Sequence, residues 1–307
     1  RNTSGMEFIR GLHNLRPRHR GCVATVGNFD GVHLGHQAVL GQLAEKGAEL
    51  HLPTAVITFE PQPQEYFAPE SAPPRLTRLR EKITALGRFS VDRVLCLPFN
   101  DRLASLSADE FIRRVLVEGL AIRYLVVGDD FRFGRDRAGD FDALKSAGRR
   151  HGFDVVSMHS FNIEAERVSS TAIRKALRQG DLRRAERLLG RPYRMSGRVA
   201  HGDKRGRSIG FPTANIFLHR CSAPVQGVFA VEMFGISGEP VEGVANIGTR
   251  PTVDGQRSLL EVHLFDFDAD IYGCHVHVDF LCKLREERRF DSFGALKQQI
   301  ERDARQA

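Results

Sequence analysis

The sequence predicts two domains: an α/β domain with a parallel sheet, then an antiparallel β-barrel followed by a terminal helix. Three observations carry this. The chain has 307 residues, against roughly 150 for an ordinary domain. Its first half alternates apolar, β-branched runs with helix-length stretches, as a parallel sheet covered on both faces requires. Its second half sets short β-rich runs across Gly- and Pro-containing turns, with few helical windows between them.

Taken in order, the first-half strands are predicted at Cys22 to Gly27, Thr54 to Phe59, Arg93 to Leu97, Tyr124 to Gly128 and Phe153 to Ser157. Between them lie helical stretches at His36 to Ala48, Arg75 to Phe89, Ala108 to Val117 and Gly139 to His151. A helical segment from Ser170 to Leu189 follows, broken at Gly180-Asp181 and stopped at Gly190-Arg191-Pro192, a helix stop followed by proline. The domain boundary is placed at this junction, giving residues 1–187 and 188–307. The barrel strands are predicted at Met195 to Ala200, Gly227 to Phe234, Val241 to Ile247, Ser258 to Phe265 and His275 to Leu281, with a last helix from Phe293 to Ala304. Met6 is read as a natural start, with residues 1–5 an addition ahead of it.

Composition excludes some functions and leaves others open. Hydrophobic residues make up 41% and charged residues 27%, ordinary for a globular protein. No apolar run approaches the 18 to 20 residues, roughly, that span a bilayer. The five cysteines are scattered, with no Cys-x-x-Cys pair; this argues against a disulfide framework or zinc site and for the reducing cytoplasm. The net charge of +7 suits a nucleic-acid binder, a surface that attracts anionic small molecules, or no function at all. The basic residues are dispersed among 38 acidic ones and Trp is absent, so polyanionic small substrates fit better than nucleic acid. No membrane role is indicated, and a homo-oligomer is left open.

In open α/β sheets, ligands bind beyond the carboxyl ends of the strands, and that is where the unusual residues of the first half fall. Gly27-Asn28-Phe29-Asp30-Gly31-Val32-His33-Leu34-Gly35-His36 leaves the first predicted strand and opens a helix. Its glycines permit close backbone approach to a phosphate, and the helix amino end favours anions. His33 and His36, three residues apart, project to one side of an opening turn, where they can hydrogen-bond a phosphoryl oxygen. Taken alone, the pair also fits metal ligands or two surface histidines. Ser169, Ser170 and Thr171 can cap a helix whose amino end meets an anion, with Arg174 one turn in; alone they read as an ordinary N-cap. Phe59 and Phe131, in strand-exit loops, can stack on an aromatic ligand or simply join the core.

The order strand, His33-Leu34-Gly35-His36, helix resembles the nucleotidyltransferases of the class I aminoacyl-tRNA synthetase and cytidylyltransferase type, and implies a Rossmann-like nucleotidyltransferase domain. Thr58-Phe59-Glu60-Pro61-Gln62-Pro63, Val127 to Gly134 with Arg137 and Gly139-Asp140, and Val168 to Arg174 narrow the resemblance. Together the segments are similar to the FMN adenylyltransferase module of bacterial FAD synthetases. That resemblance implies ATP or phosphate contacts at Gly27, Asn28, Phe29, Asp30, Gly35, Ser169, Ser170, Thr171 and Arg174. It implies flavin contacts at Phe59, Pro61, Asp130, Phe131 and Arg132, and catalysis by His33 and His36. The implied reaction is attack by the FMN phosphate on the α-phosphorus of ATP, with release of pyrophosphate.

The second half has no Gly-x4-Gly-Lys-Ser/Thr segment, so a Walker-type kinase is not indicated. Gly197 to Ile216 instead supplies a glycine-rich, basic loop in which Gly202, Lys204, Gly206 and Arg207 can cradle phosphates. By default such a loop is an exposed turn. Thr213 and Asn215 point the same way in an extended chain, and their oxygens are hard ligands suited to Mg²⁺. Glu261, between Leu260 and Val262 on a predicted strand, points away from both, into a cleft or into solvent. With Gly227 to Val231, Gly243 to Thr252 and Leu260 to Phe267, these segments resemble a riboflavin kinase module, whose strand glutamate is the base for the ribityl 5′-hydroxyl; Glu261 occupies the matching place. Asp266-x-Asp268-x-Asp270 mimics a calcium loop, but Ile271 and His277 stand where glycine and the bidentate glutamate belong.

The resemblance runs from about Gly11 to Arg302. It implies a bifunctional flavin enzyme that takes ATP, riboflavin and FMN, uses Mg²⁺ with ATP, and yields FAD. The competing readings are an enzyme with only one live half, and a basic nucleic-acid-binding module.

Overall fold

The computed structural model describes residues 5–159, 161–200, 213–220, 222–252, 255–287 and 293–307. Contacts divide the chain into two compact units: 1–73 with 77–168, and 74–76 with 169–307.

The first unit runs β1 (Glu7–Arg10), β2 (Val23–Val26), α1 (Leu34–Leu50), β3 (Thr54–Glu60), α2 (Pro63–Phe67), α3 (Leu79–Leu86), β4 (Arg93–Pro98), α4 (Asp101–Ala104), α5 (Ala108–Phe111), β5 (Tyr124–Gly128), α6 (Phe141–His151) and β6 (Asp154–Met158). A small hairpin of β7 (Asn162–Ile163) and β8 (Glu166–Arg167) completes it. Helix α5 continues as a π-helical stretch over Ile112–Gly119. The sheet order is β1-β4-β3-β2-β5-β6, with every pairing parallel. Neighbouring residues of one strand serve opposite faces. Ile57 and Leu95 join the cluster of Phe111, Leu116 and Leu144, while Val56 and Val94 join that of Phe29, Leu40 and Leu86. This two-faced burial is what the continuous apolar runs dictate. Strand β1 was not expected: four residues, Glu7–Arg10, pair with the edge of β4, too short a run for a periodic signal.

The second unit begins with α7 (Ser170–Arg178) and α8 (Leu182–Leu189). Gly180 separates them at φ +75°, a left-handed conformation that glycine adopts without penalty. There follow β9 (Tyr193–Ala200), β10 (Thr213–Phe217), β11 (Gly227–Phe234), β12 (Val241–Thr252), β13 (Gly255–Leu264), β14 (His275–Arg285) and α9 (Phe293–Gln306). The six strands close into a barrel in the order β10-β13-β12-β11-β14-β9, all antiparallel. Ile216, Ala245, Ile247, Leu260, Val262 and Val278 are almost wholly buried within the unit. Asp303 of α9, 2% exposed, grips Arg285 of β14 through both carboxylate oxygens at 2.7 to 3.1 Å, a bidentate pairing that anchors the terminal helix to the wall.

Among the described residues, no helix is long and apolar enough to cross a membrane. Cys22 and Cys96 are buried, Cys274 is half-buried and Cys282 is exposed, and none of these four forms a disulfide. Burial pushes the Cys22 thiol up to about 12, so it stays protonated at neutral pH.

Candidate functional sites

The parallel sheet brings the loops after β2, β3 and β5 to one edge, because their carboxyl ends lie side by side. The loop after β2 is the most constrained. Phe29 and Val32 hold φ of +49° and +43°, and both are nearly inaccessible. For a β-branched residue such as Val32 this is a strained conformation, maintained only where the surroundings over-determine it.

His33 is the N-cap of α1, its Nδ1 accepting from the His36 backbone N–H at 3.3 Å. In the neutral ring, that leaves Nε2 as the donor. The His33 and His36 rings stack at 3.6 Å between centroids, and His36 also meets Phe29 at 4.8 Å. The spacing-based expectation that the two imidazoles share a side is therefore met in the geometry. Gly35 makes room for this: a Cβ there would stand 3.2 Å from the His33 ring and 3.6 Å from the Val168 carbonyl.

Asp30, expected to face ATP, is 3% exposed and spends Oδ1 on Thr77, accepting from its N–H at 3.0 Å and its hydroxyl at 3.3 Å. Thr77 Oγ1 in turn accepts from the Gly31 N–H at 2.9 Å. Thr77 thus fastens the loop, and nothing in its local sequence announces this. Thr77→Val removes one buried donor from Asp30 and the acceptor of Gly31. It is expected to lower stability by about 1–3 kcal/mol, read as a shift in the urea midpoint.

Of the flavin candidates, Phe59 is 7% exposed and packs edge-on against Phe99 at 5.8 Å. The exposed ring of that aromatic group is Phe67, 66% exposed and 5.6 Å from Phe99, which the motif reading passed over. Pro61 follows Phe59 in the β3 exit loop. Phe131 stacks on Phe133 at 5.5 Å, Arg132 is exposed with Nη1 on the Phe131 carbonyl, and Asp130 accepts from Arg167 Nη2 at 2.8 Å. Ser169, Ser170, Thr171 and Arg174 belong to the second unit. There Ser169 caps α7, its Oγ accepting from the Ala172 N–H at 3.1 Å, so the capping role is realised.

In the barrel, strand register assembles a second polar cluster. Asn215 of β10 lies directly opposite Glu261 of β13, and Thr213 opposite His263. On the other side of β13, Asn246 of β12 also lies opposite Glu261. Directly opposed residues share a face, and so do residues two apart on one strand. Thr213, Asn215, Glu261, His263 and Asn246 therefore line one face, while Ile216, Leu260, Val262 and Ile247 turn the other way into the apolar interior. The first three were singled out from sequence; His263 and Asn246 were not. Gly202, Lys204, Gly206 and Arg207 lie outside the described residues. Among the described residues no group of three or more His, Cys, Asp or Glu gathers as a metal site.

A family model for FAD synthetase matches residues 15–172, and one for riboflavin kinase matches residues 189–307. A bifunctional riboflavin kinase/FMN adenylyltransferase of Pseudomonas fluorescens is 56% identical over 97% of this chain and 96% of its own. The protein of that name from Escherichia coli K12 is 54% identical over the same shares, and that from Haemophilus influenzae 54% over 98% of both chains. A solved structure from Streptococcus pneumoniae, described as a macrolide-efflux protein, superposes with a TM-score of 0.82 at 32% identity over 98% of each chain. With both units matched, and more than half the residues shared across nearly the full length, the chain belongs to the bifunctional riboflavin kinase/FMN adenylyltransferases.

Proposed function

We propose that the two activities divide between the two family modules: the barrel phosphorylates riboflavin to FMN, and the α/β module adenylylates FMN to FAD, each with ATP. The observation that carries this reading is that each unit holds its own cluster of groups suited to phosphoryl chemistry. One is the His33–His36 stack; the other is the Asn215–Glu261 register pair. Family boundaries at 172 and 189 support placing the module junction at 187/188.

In the kinase step, the riboflavin 5′-hydroxyl oxygen attacks the γ-phosphorus, its proton passes to Glu261, and ADP leaves. Thr213 and Asn215, hard-oxygen side chains on one face of β10, fit Mg²⁺. When bound there with ATP, the ion neutralises phosphate charge. Gly202, Lys204, Gly206 and Arg207 are assigned to the ATP phosphates. In the adenylylation step, an oxygen of the FMN phosphate attacks the α-phosphorus and pyrophosphate leaves. No protein nucleophile is needed, so positioning and charge stabilisation carry the rate. His33 and His36 are assigned to the phosphoryl oxygens, Gly27, Asn28, Phe29, Asp30 and Gly35 to the phosphate loop, and Ser169, Ser170, Thr171 and Arg174 to an anion at the amino end of α7. Phe59, Pro61, Asp130, Phe131 and Arg132 are assigned to the flavin side. The cysteines outside disulfides, Cys22, Cys96, Cys274 and Cys282, suit the cytoplasm.

Incubation with riboflavin, ATP and Mg²⁺, followed by chromatographic separation of flavins, is expected to give FMN and then FAD. Accumulation of FMN alone, or no product, sinks the two-activity reading.

A further inference from the structure

The kinase cluster contains one buried polar atom that the phosphoryl chemistry leaves unused. Ala245 and Ile247, 0% and 1% exposed, fill the barrel interior, so Asn246 between them projects from the opposite face of β12. There it lies opposite Glu261, with the two Cβ atoms about 5 Å apart in such a pair. Beyond Asn246 the same row continues through Val228 of β11 to Arg285 of β14, and Arg285 is the residue that α9 grips through Asp303. Asn246 therefore sits between the base and the stretch of wall that bears the terminal helix.

The Oδ1 atom of Asn246 is buried, and no donor among the described residues reaches it. A buried amide oxygen without a donor is costly to keep, and in a native fold it calls for a specific explanation. An acceptor repels phosphate oxygens, which have no proton to give at neutral pH, so a nucleotide phosphate is a poor partner. The Thr213 and Asn215 oxygens lie on the far side of Glu261, which separates Asn246 from the Mg²⁺ position assigned above. The donors nearest to the Glu261 carboxylate are those of the substrate that it deprotonates. The substrate whose terminal hydroxyl meets Glu261 carries more of them on the adjoining carbons.

We propose that Asn246 is a flavin-binding residue of the kinase site, its Oδ1 accepting a hydrogen bond from a ribityl hydroxyl one or two carbons from the one that is phosphorylated. It thereby selects for a hydroxylated side chain on the flavin. This rests on the reading of Glu261 as the kinase base.

The test compares Asn246→Leu and Asn246→Ser with the wild type, using riboflavin and its 4′-deoxy and 3′-deoxy analogues. For riboflavin, kcat/KM is expected to fall about 10- to 100-fold in Asn246→Leu, with the KM for ATP and the Mg²⁺ requirement within about two-fold. One of the two deoxy analogues, already poor with the wild type, should lose nothing further, because the partner of the amide is missing. Asn246→Ser, which restores a smaller acceptor, should recover part of the loss. Conversion of added FMN to FAD should be unchanged and the thermal midpoint equal or higher, since leucine removes an unsatisfied buried polar atom. The proposal is overturned if riboflavin turnover is unaffected, if the loss appears in the KM for ATP, or if both analogues lose as much as riboflavin does. Loss of phosphorylation in Glu261→Gln with a neutral Asn246→Leu sinks this proposal alone. A fully active Glu261→Gln sinks the reading beneath it.

Discussion

Glu261→Ala is expected to stop FMN formation from riboflavin while leaving added FMN convertible to FAD. Loss of a positioned general base costs about 10²- to 10⁴-fold in rate, so phosphorylation should fall into that range, and Glu261→Gln, which keeps the shape, should fall with it. The side chain lies between Asn215 and Asn246 on one face of the barrel, and its strand neighbours Leu260 and Val262 are fully buried. Removing the carboxylate therefore leaves the barrel interior untouched. The measurement is flavin chromatography with riboflavin in one arm and FMN in the other. Loss of FAD formation in the FMN arm as well would refute separate sites.

His36→Ala should do the reverse, with FAD formation down about 10²- to 10³-fold, the cost of deleting one preorganised donor to a developing phosphoryl charge, and riboflavin phosphorylation intact. The structure distinguishes the two histidines as experimental targets. His33 caps α1 by accepting from the backbone N–H of residue 36, so His33→Ala also removes a cap worth about 0.5–2 kcal/mol. His36 contributes only its backbone to that bond, and His36→Ala keeps the cap. A rate loss in His36→Ala without a matching loss of stability isolates the chemical role.

The alternation of apolar runs with helix-length stretches makes the parallel sheet legible, since each strand from β2 to β5 is a burial-driven run that cannot be satisfied on one face. The barrel class is legible from its turns, but β10 carries no strand signal of its own beyond an extended segment: Thr213–Phe217 follows a glycine-rich, basic stretch of sequence. Site residues divide by the range of the signal. His33 and His36, or Thr213 and Asn215, are neighbours along the chain, so helical or extended geometry places them together. Asn246 and His263 join the same cluster only through strand register, across turns whose length and geometry no local pattern encodes. Thr77 serves Asp30 from 47 positions away, and Asp30 looked like a phosphate contact because its local motif is rich in them. The burial of Phe59 beside the exposed Phe67 reflects the same limit, since motif position does not say which of several aromatic rings faces outward.

Closure of the barrel changes what kinds of genetic change the kinase half tolerates. In an open sheet, a slipped edge strand displaces only its own side chains. Here β13 is bonded on both sides within a ring of six, and five polar side chains from three strands meet because every register agrees. One residue gained or lost within β13 ahead of Glu261 would turn its carboxylate into the apolar interior and bring Val262 to the working face. A point substitution at one of these positions removes one group from the row, whereas a single-codon insertion or deletion in a strand is expected to displace several at once. Length variation in this half of the chain is accordingly expected in the turns between strands, which can lengthen without shifting any pair in the row.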